Sequence, residues 1–135
     1  MINLSPLEKQ VLSMLLEGEE KQLTILREQL KAASVSERKM TGVGFYTKFK
    51  IPKKLKGIPN KESIKFGDVV AEISRLNHGA GFLLYIENGY LSMLEGYCYD
   101  EKWPEEILNF KLKYSSDDKR DIESIKNKLS GAVVH

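Results

Sequence analysis

The stretch Ala80-Gly81-Phe82-Leu83-Leu84-Tyr85-Ile86-Glu87-Asn88-Gly89-Tyr90-Leu91-Ser92-Met93-Leu94-Glu95-Gly96-Tyr97-Cys98-Tyr99 decides the fold. Asn88-Gly89 lies between two apolar, aromatic runs. Asparagine and glycine accept positive φ at both central positions, so the pair predicts a two-residue type I′ hairpin turn. Two strands follow, 80–87 and 90–99. The turn also sets a register. Glu87 should then pair with Tyr90, Ile86 with Leu91, Leu84 with Met93 and Phe82 with Glu95. One face then carries Phe82, Leu84, Ile86, Leu91 and Met93; the other carries Leu83, Tyr85, Tyr90, Ser92 and Leu94. Both faces are apolar, which predicts a central hairpin covered on at least part of each side.

Working outward, Phe66–Ile73 reads as a strand with Val69, Ala71 and Ile73 on one face and Asp68, Val70 and Glu72 on the other. Residues 52–65 hold two prolines, a glycine and several lysines and read as a long loop. Before it, Val43, Phe45, Thr47, Phe49 and Ile51 alternate with Gly44, Tyr46, Lys48 and Lys50, the period of a half-buried strand. The N-terminal third has helical period instead. Ser5-Pro6-Leu7-Glu8 is a helix start: Ser5 as cap, Pro6 at the first helical position, and Glu8 closing a capping box. Leu7, Val11, Met14, Leu15 and Leu16 follow, with Gly18 as the stop. A second helix, about Glu19 to Ala33, has the stripe Leu23, Leu26, Leu30 and Ala33. The short connection predicts a helical hairpin. After Trp103-Pro104, Leu108, Phe110, Leu112 and Tyr114 alternate as a further strand. Ser116-Asp117-Asp118 then opens a last helix with Ile122, Ile125 and Leu129 on one stripe and Gly131 as its stop. The expectation is one α+β domain over residues 1–135: an N-terminal helical hairpin, a mainly antiparallel sheet of about five strands, and a C-terminal helix.

The chain has 135 residues, 41% hydrophobic and 30% charged, enough for one core and unlike a disordered chain. A net charge of +2 does not by itself imply nucleic acid or an anionic membrane. No apolar run approaches the roughly 20 residues that span a bilayer. Met1-Ile2-Asn3-Leu4-Ser5-Pro6 lacks a basic then apolar leader, so no signal peptide is expected. The lone Cys98 excludes an internal disulfide, and a reducing cytoplasm is the simplest setting. No cofactor or metal is expected: the acidic residues show no metal-loop spacing, and two histidines are too few for a zinc site.

Three residues are candidates for catalysis. Glu95, which the hairpin register puts on the same face as Leu91, Met93 and Phe82, is a carboxylate that must be paired, hydrogen-bonded or protonated, the environment of a tuned acid or base. The commoner fate is a strand-end carboxylate satisfied by lysine or solvent. His78, in Asn77-His78-Gly79-Ala80-Gly81, could act as a base, although Gly-Ala-Gly is also what a bend needs. Glu72 could assist either. A Cys98–His78 nucleophile is disfavoured, because the ladder points the two side chains to opposite faces, and a small structural cysteine is the default.

Charge is segregated. Lys48, Lys50, Lys53, Lys54, Lys56, Lys61 and Lys65 fall in one strand and loop with Glu62 as the only acid there, but without arginine and with few aromatics they make a poor base-stacking platform. The segment Tyr97 to Glu106 is acidic. Tyr97, Tyr99, Asp100, Glu101 and Trp103 there have the composition of a protein-binding surface, against the alternatives of a solvated loop and a core tryptophan.

The run Gly81 to Tyr97, followed by Trp103-Pro104, resembles a hairpin of short uncharacterised bacterial proteins, some of immunity-protein type, which neutralise a toxin by binding it. The start Leu4-Ser5-Pro6-Leu7-Glu8 fits the same group. The resemblance covers about a fifth of the chain and carries no catalytic residues with it. It implies a small bacterial protein-binding domain, with another protein, such as a toxin, as partner rather than nucleic acid or membrane. The second reading is an enzyme or small-ligand domain using Glu95 with His78 or Glu72.

Overall fold

Ser5 caps the first helix as its chemistry dictates. Its side chain accepts from the Glu8 backbone N–H at 3.1 Å, and the Glu8 carboxylate accepts from the Ser5 N–H at 2.8 Å, with Pro6 in the first turn. In the computed structural model, which describes residues 3–116 and 119–131, the elements run α1 (Pro6–Leu15), α2 (Lys21–Ala32), β1 (Ser34–Met40), β2 (Gly44–Lys50), β3 (Ile64–Phe66), β4 (Val69–Ile73), β5 (Ala80–Glu87), β6 (Tyr90–Cys98), β7 (Phe110–Tyr114) and α3 (Ile122–Ser130). The strands form one antiparallel sheet in the order β1-β2-β6-β5-β4-β7, with β3 also beside β5. This is the expected α+β architecture, with the hairpin β5–β6 at its centre.

Among the described residues the sheet has seven strands where about five were expected, for two local reasons. The first is β1, Ser-Val-Ser-Glu-Arg-Lys-Met, an edge strand with no apolar alternation to betray it; charge on such a strand protects its open edge. The second is a break in the strand read as 66–73. Phe66 lies opposite Leu84 and Val70 opposite Gly81, so residues 67–69 face only 82–83 and one residue is extra. Asp68 at the break is held by Arg120, Nε to Oδ2 at 2.7 Å. The same guanidinium donates to the carbonyls of Leu15 and Glu17 and lies over the Tyr114 ring at 5.4 Å, tying the end of α1 to β4 and β7.

Other boundaries move by a few residues. α1 ends at Leu15, ahead of Gly18. β7 starts at Phe110, leaving Leu108 exposed. The last helix starts after Asp121, whose side chain accepts from the Ser124 N–H, and not at Ser116, which sits in an exposed turn. Asp117 and Asp118 lie outside the described residues. Gly131 ends α3 in the left-handed conformation, as expected.

The turn forms as read: Asn88 and Gly89 both have positive φ, 52° and 87°. Glu87 pairs with Tyr90 and Ile86 with Leu91. The ladder then slips. Tyr85, not Leu84, lies opposite Met93, so Ser92 is an extra residue in β6. A slip of one residue exchanges the faces of everything beyond it. Leu84 pairs with Leu94, Phe82 with Gly96, and Leu83 with Glu95. The expected pairs Leu84–Met93 and Phe82–Glu95 are corrected accordingly, and Glu95 leaves the buried face.

The helices cover one side of the sheet. α1 packs on β4, α2 on β6 and α3 on β3. Beneath them lie Phe45, Phe49, Phe66, Val69, Phe82, Leu84, Ile86, Leu91 and Leu94, all buried. The opposite side carries Tyr46, Leu83, Tyr85, Met93, Glu95 and Tyr97, all half-buried, so the hairpin is covered on one face and not on both. No helix among the described residues is long and apolar enough to cross a membrane.

Two buried polar residues fasten the helices. Gln29 of α2, fully buried, donates to the carbonyls of Lys56 (3.1 Å) and Gly89 (3.0 Å) and accepts from the Leu91 N–H (2.9 Å). It clamps the loop and the hairpin turn with one amide. Glu8, 2% exposed, accepts from Arg38 of β1 at 2.5 Å and from the Thr47 hydroxyl of β2.

Replacing Gln29 by Ala strands the Leu91 N–H and the Lys56 carbonyl, and should cost about 3 kcal/mol in denaturant unfolding. Ser5→Ala removes one cap acceptor and should cost about 1 kcal/mol, read as a lower midpoint at an unchanged slope.

Candidate functional site

The helix-free face of the sheet is built around Glu95. Glu95 stands opposite Tyr46 of β2 on one side and Leu83 of β5 on the other. The Tyr85 hydroxyl donates to Glu95 Oε1 at 2.7 Å. Tyr97, two residues along the same face, lies across β5 over Gly81: a methyl group at position 81 would come within 2.5 Å of its ring. Tyr97 in turn meets Tyr99 edge to face, ring centres 5.7 Å apart. Leu83 and Met93 complete the floor. Each position follows from strand alternation once the Ser92 slip is counted.

The carboxylate polarises its neighbours. Its hydrogen bond, together with burial and its charge, pushes the Tyr85 hydroxyl up to about 12. The Glu95 charge and hydrogen bonding also raise Tyr46, and burial leads the rise of Tyr97. These tyrosines therefore stay protonated at neutral pH and act as donors and ring surfaces, not as bases. Among the described residues no cation pairs with Glu95.

The predicted binding segment divides. Tyr97 and the exposed Tyr99 belong to the helix-free face. Asp100 is an exposed turn residue with φ 51°. Glu101 accepts from the backbone N–H groups of Asn77 (2.8 Å) and His78 (3.1 Å), contacts that hold its pKa below the usual value and brace the turn before β5. Trp103 is buried. Its ring packs against Phe45 with centres 5.4 Å apart, and its backbone N–H donates to the Gly42 carbonyl. It seals the core end of the segment, so the aromatic surface is supplied by tyrosines of the sheet instead.

The three catalytic candidates are not brought together. Glu95 and Glu72 share the helix-free side, but they lie two strands and four residues apart, about 16 Å by strand spacing and rise. Glu72 lines a shallow cleft with Asn77 and Asn109 that includes neither Glu95 nor His78. His78 is exposed in the turn between β4 and β5. Cys98 is buried with its sulfur 3.2 Å from the carbonyls of Val43 and Glu101, and burial pushes its thiol up, the opposite of an activated nucleophile.

A second cleft, about 250 Å³, opens between α1 and the 103–110 segment, lined by Leu7, Met40, Phe45, Trp103, Ile107 and Phe110. Glu8 and Arg38 form its polar wall and are engaged with each other. Tyr46, Tyr85, Leu83 and Met93 are the site residues the sequence reading left out. The signal for them was the apolar spacing Leu91, Leu94, which skips a residue where a plain strand would not.

The class defined here is a two-layer α+β domain with helices on one side of an antiparallel sheet and a tyrosine-walled carboxylate on the other. Neither a family model, nor a curated protein, nor a solved structure matches the chain.

An ultraviolet titration of the tyrosines tests the cluster. One tyrosine should ionise near pH 12, and Glu95→Gln should return it toward 10. The raised value means that the folded state holds this proton more tightly than the unfolded chain. The associated stabilisation is complete below about pH 10 and is lost as the pH rises toward 12.

Proposed function

We propose that the protein is a protein-binding domain whose partner sits on the helix-free face of the sheet. One observation carries this reading: a continuous block of Tyr46, Leu83, Tyr85, Met93 and Tyr97, extended by the exposed Tyr99, is left uncovered by the helices. Aromatic and methionine side chains at the middle of a polar-rimmed patch are the composition of interface centres. Within this class the narrower reading is an immunity-type inhibitor that occludes a toxin, supported by the likeness of the hairpin to such bacterial proteins. A cytoplasmic setting goes with it, supported by the unpaired thiol of Cys98. A nucleic acid is disfavoured as partner because Glu95 sets a negative charge in the middle of the face. The separation of Glu95, Glu72 and His78 speaks against the enzyme reading.

The test is photo-crosslinking in the host cell from p-benzoylphenylalanine placed at Tyr46 or Tyr97, with Lys126 on the exposed side of α3 as control. One protein should be captured from both sheet positions and not from Lys126. Leu83→Asp should lose that capture while melting close to wild type. If the partner is a toxin encoded beside this chain, co-expression should restore growth, and Leu83→Asp should abolish the rescue. Capture from Lys126 alone would move the interface to the helical side and end this proposal.

A further inference from the structure

We infer that the Glu95 cluster is a recognition site for an arginine side chain flanked by acidic residues on the partner. This rests on the protein-binding reading and specifies the partner's chemistry. Three observations converge. Glu95 is half-buried in the middle of the face, with Oε1 accepting from the Tyr85 hydroxyl. No cation among the described residues neutralises it; the neighbouring Lys48 is held by Glu37 at 3.4 Å. Tyr46, Tyr85 and Tyr97 surround it, and ring faces attract a cation, most of all a planar guanidinium, which can stack and hydrogen-bond at once. A cation seated there would supply the opposite charge that this half-buried carboxylate lacks among the described residues.

The surroundings set what lies beside that cation. Lys39 stands opposite Tyr46 and Lys65 opposite Tyr85, both exposed, while Lys48, opposite Met93, is paired with Glu37. The face is therefore negative at its centre, with an incomplete ring of positive charge around it from Lys39 and Lys65. A uniformly basic segment would be repelled by the ring, and a uniformly acidic one by the centre. An arginine between aspartates or glutamates matches both. The ring also explains why the site would discriminate: the lysine stems are long enough to reach flanking carboxylates while the strand pairing holds them away from Glu95.

The experiment is an amide NMR titration of the intact protein with three peptides: acetyl-Glu-Glu-Arg-Glu-Glu-amide, the same peptide with citrulline for arginine, and the same peptide with lysines for the four glutamates. The first should shift Tyr46, Tyr85, Glu95 and Tyr97 saturably. The citrulline peptide, equal in shape and lacking the charge, should bind at least about tenfold more weakly, and so should the arginine peptide to Glu95→Gln. The lysine-flanked peptide should bind more weakly than the first, and the difference should shrink at high salt. The wild-type comparison of arginine with citrulline needs no variant, so a poorly folded Glu95→Gln would not rescue or sink the idea. Equal binding of the two peptides, or shifts confined to other residues, would overturn the arginine site. A partner crosslinked to this face whose capture survives Glu95→Gln would overturn it too, while leaving the protein-binding reading intact. Saturable binding of single-stranded oligonucleotide to the same residues, with no peptide response, would overturn both.

Discussion

One inserted residue in the central strand governs the surface of this protein. Ser92 has no partner in the β5–β6 ladder, and beyond it every side chain of β6 changes face. The slip has a physical cause that can be stated from the residues. Without it, Glu95 would point beneath the helices, among Phe45 and Phe82, where an ionised carboxylate has no donor to replace water. With it, Leu94, Gly96 and Cys98 turn inward, and Glu95 meets the Tyr85 hydroxyl at the surface. The cost of an unpaired residue in one ladder is small beside the cost of a buried unpaired charge.

Once the slip is made, two glycines let aromatic rings lie close to the sheet on opposite sides. Gly96 faces inward, and the Phe45 ring packs on it so closely that a methyl group there would fall 2.3 Å from the ring; Phe45 then supports Trp103. Gly81 faces outward and receives Tyr97. The same pair of strands thus anchors the core lid on one side and the tyrosine wall on the other. The helical layer is attached by polar groups whose bonds are satisfied: Gln29 at the turn, Glu8 with Arg38 and Thr47 at the far strands, and Arg120 with Asp68 at the break. Such groups contribute modestly when paired and destabilise strongly when one partner is lost, which restricts the ways the layers can dock.

The functional reading depends on this division of labour. Helices that bury one face of a sheet leave the other to water, and a face left to water is ordinarily polar. Here it carries tyrosines, a leucine and a methionine around a carboxylate that pairs with no cation among the described residues, and it is the face on which the proposed partner would sit. The named catalytic candidates lie apart: Glu72 and His78 sit at the β4–β5 end, Glu95 near the middle of β6, and burial pushes the Cys98 thiol up.

What the amino-acid sequence determined by itself was everything whose cause is local. The capping box at Ser5 and Glu8, the Asn88-Gly89 turn, the first two pairs of the hairpin and the alternation of β2 follow from hydrogen bonds and φ preferences within a few residues, and they are where the sequence puts them. The α+β class follows from the same periods. What only the tertiary structure decided was everything that required two distant segments to compete for one face. β1 exists because β2 offers it an edge, not because Ser34–Met40 has strand character. Trp103 is a core residue because Phe45 and Gly96 leave room for it. Glu95 and Tyr97 are surface residues because Ser92 leaves the ladder, and that choice is made by the energy of burying a charge, summed over the whole sheet and its helices, which no count along a single strand contains.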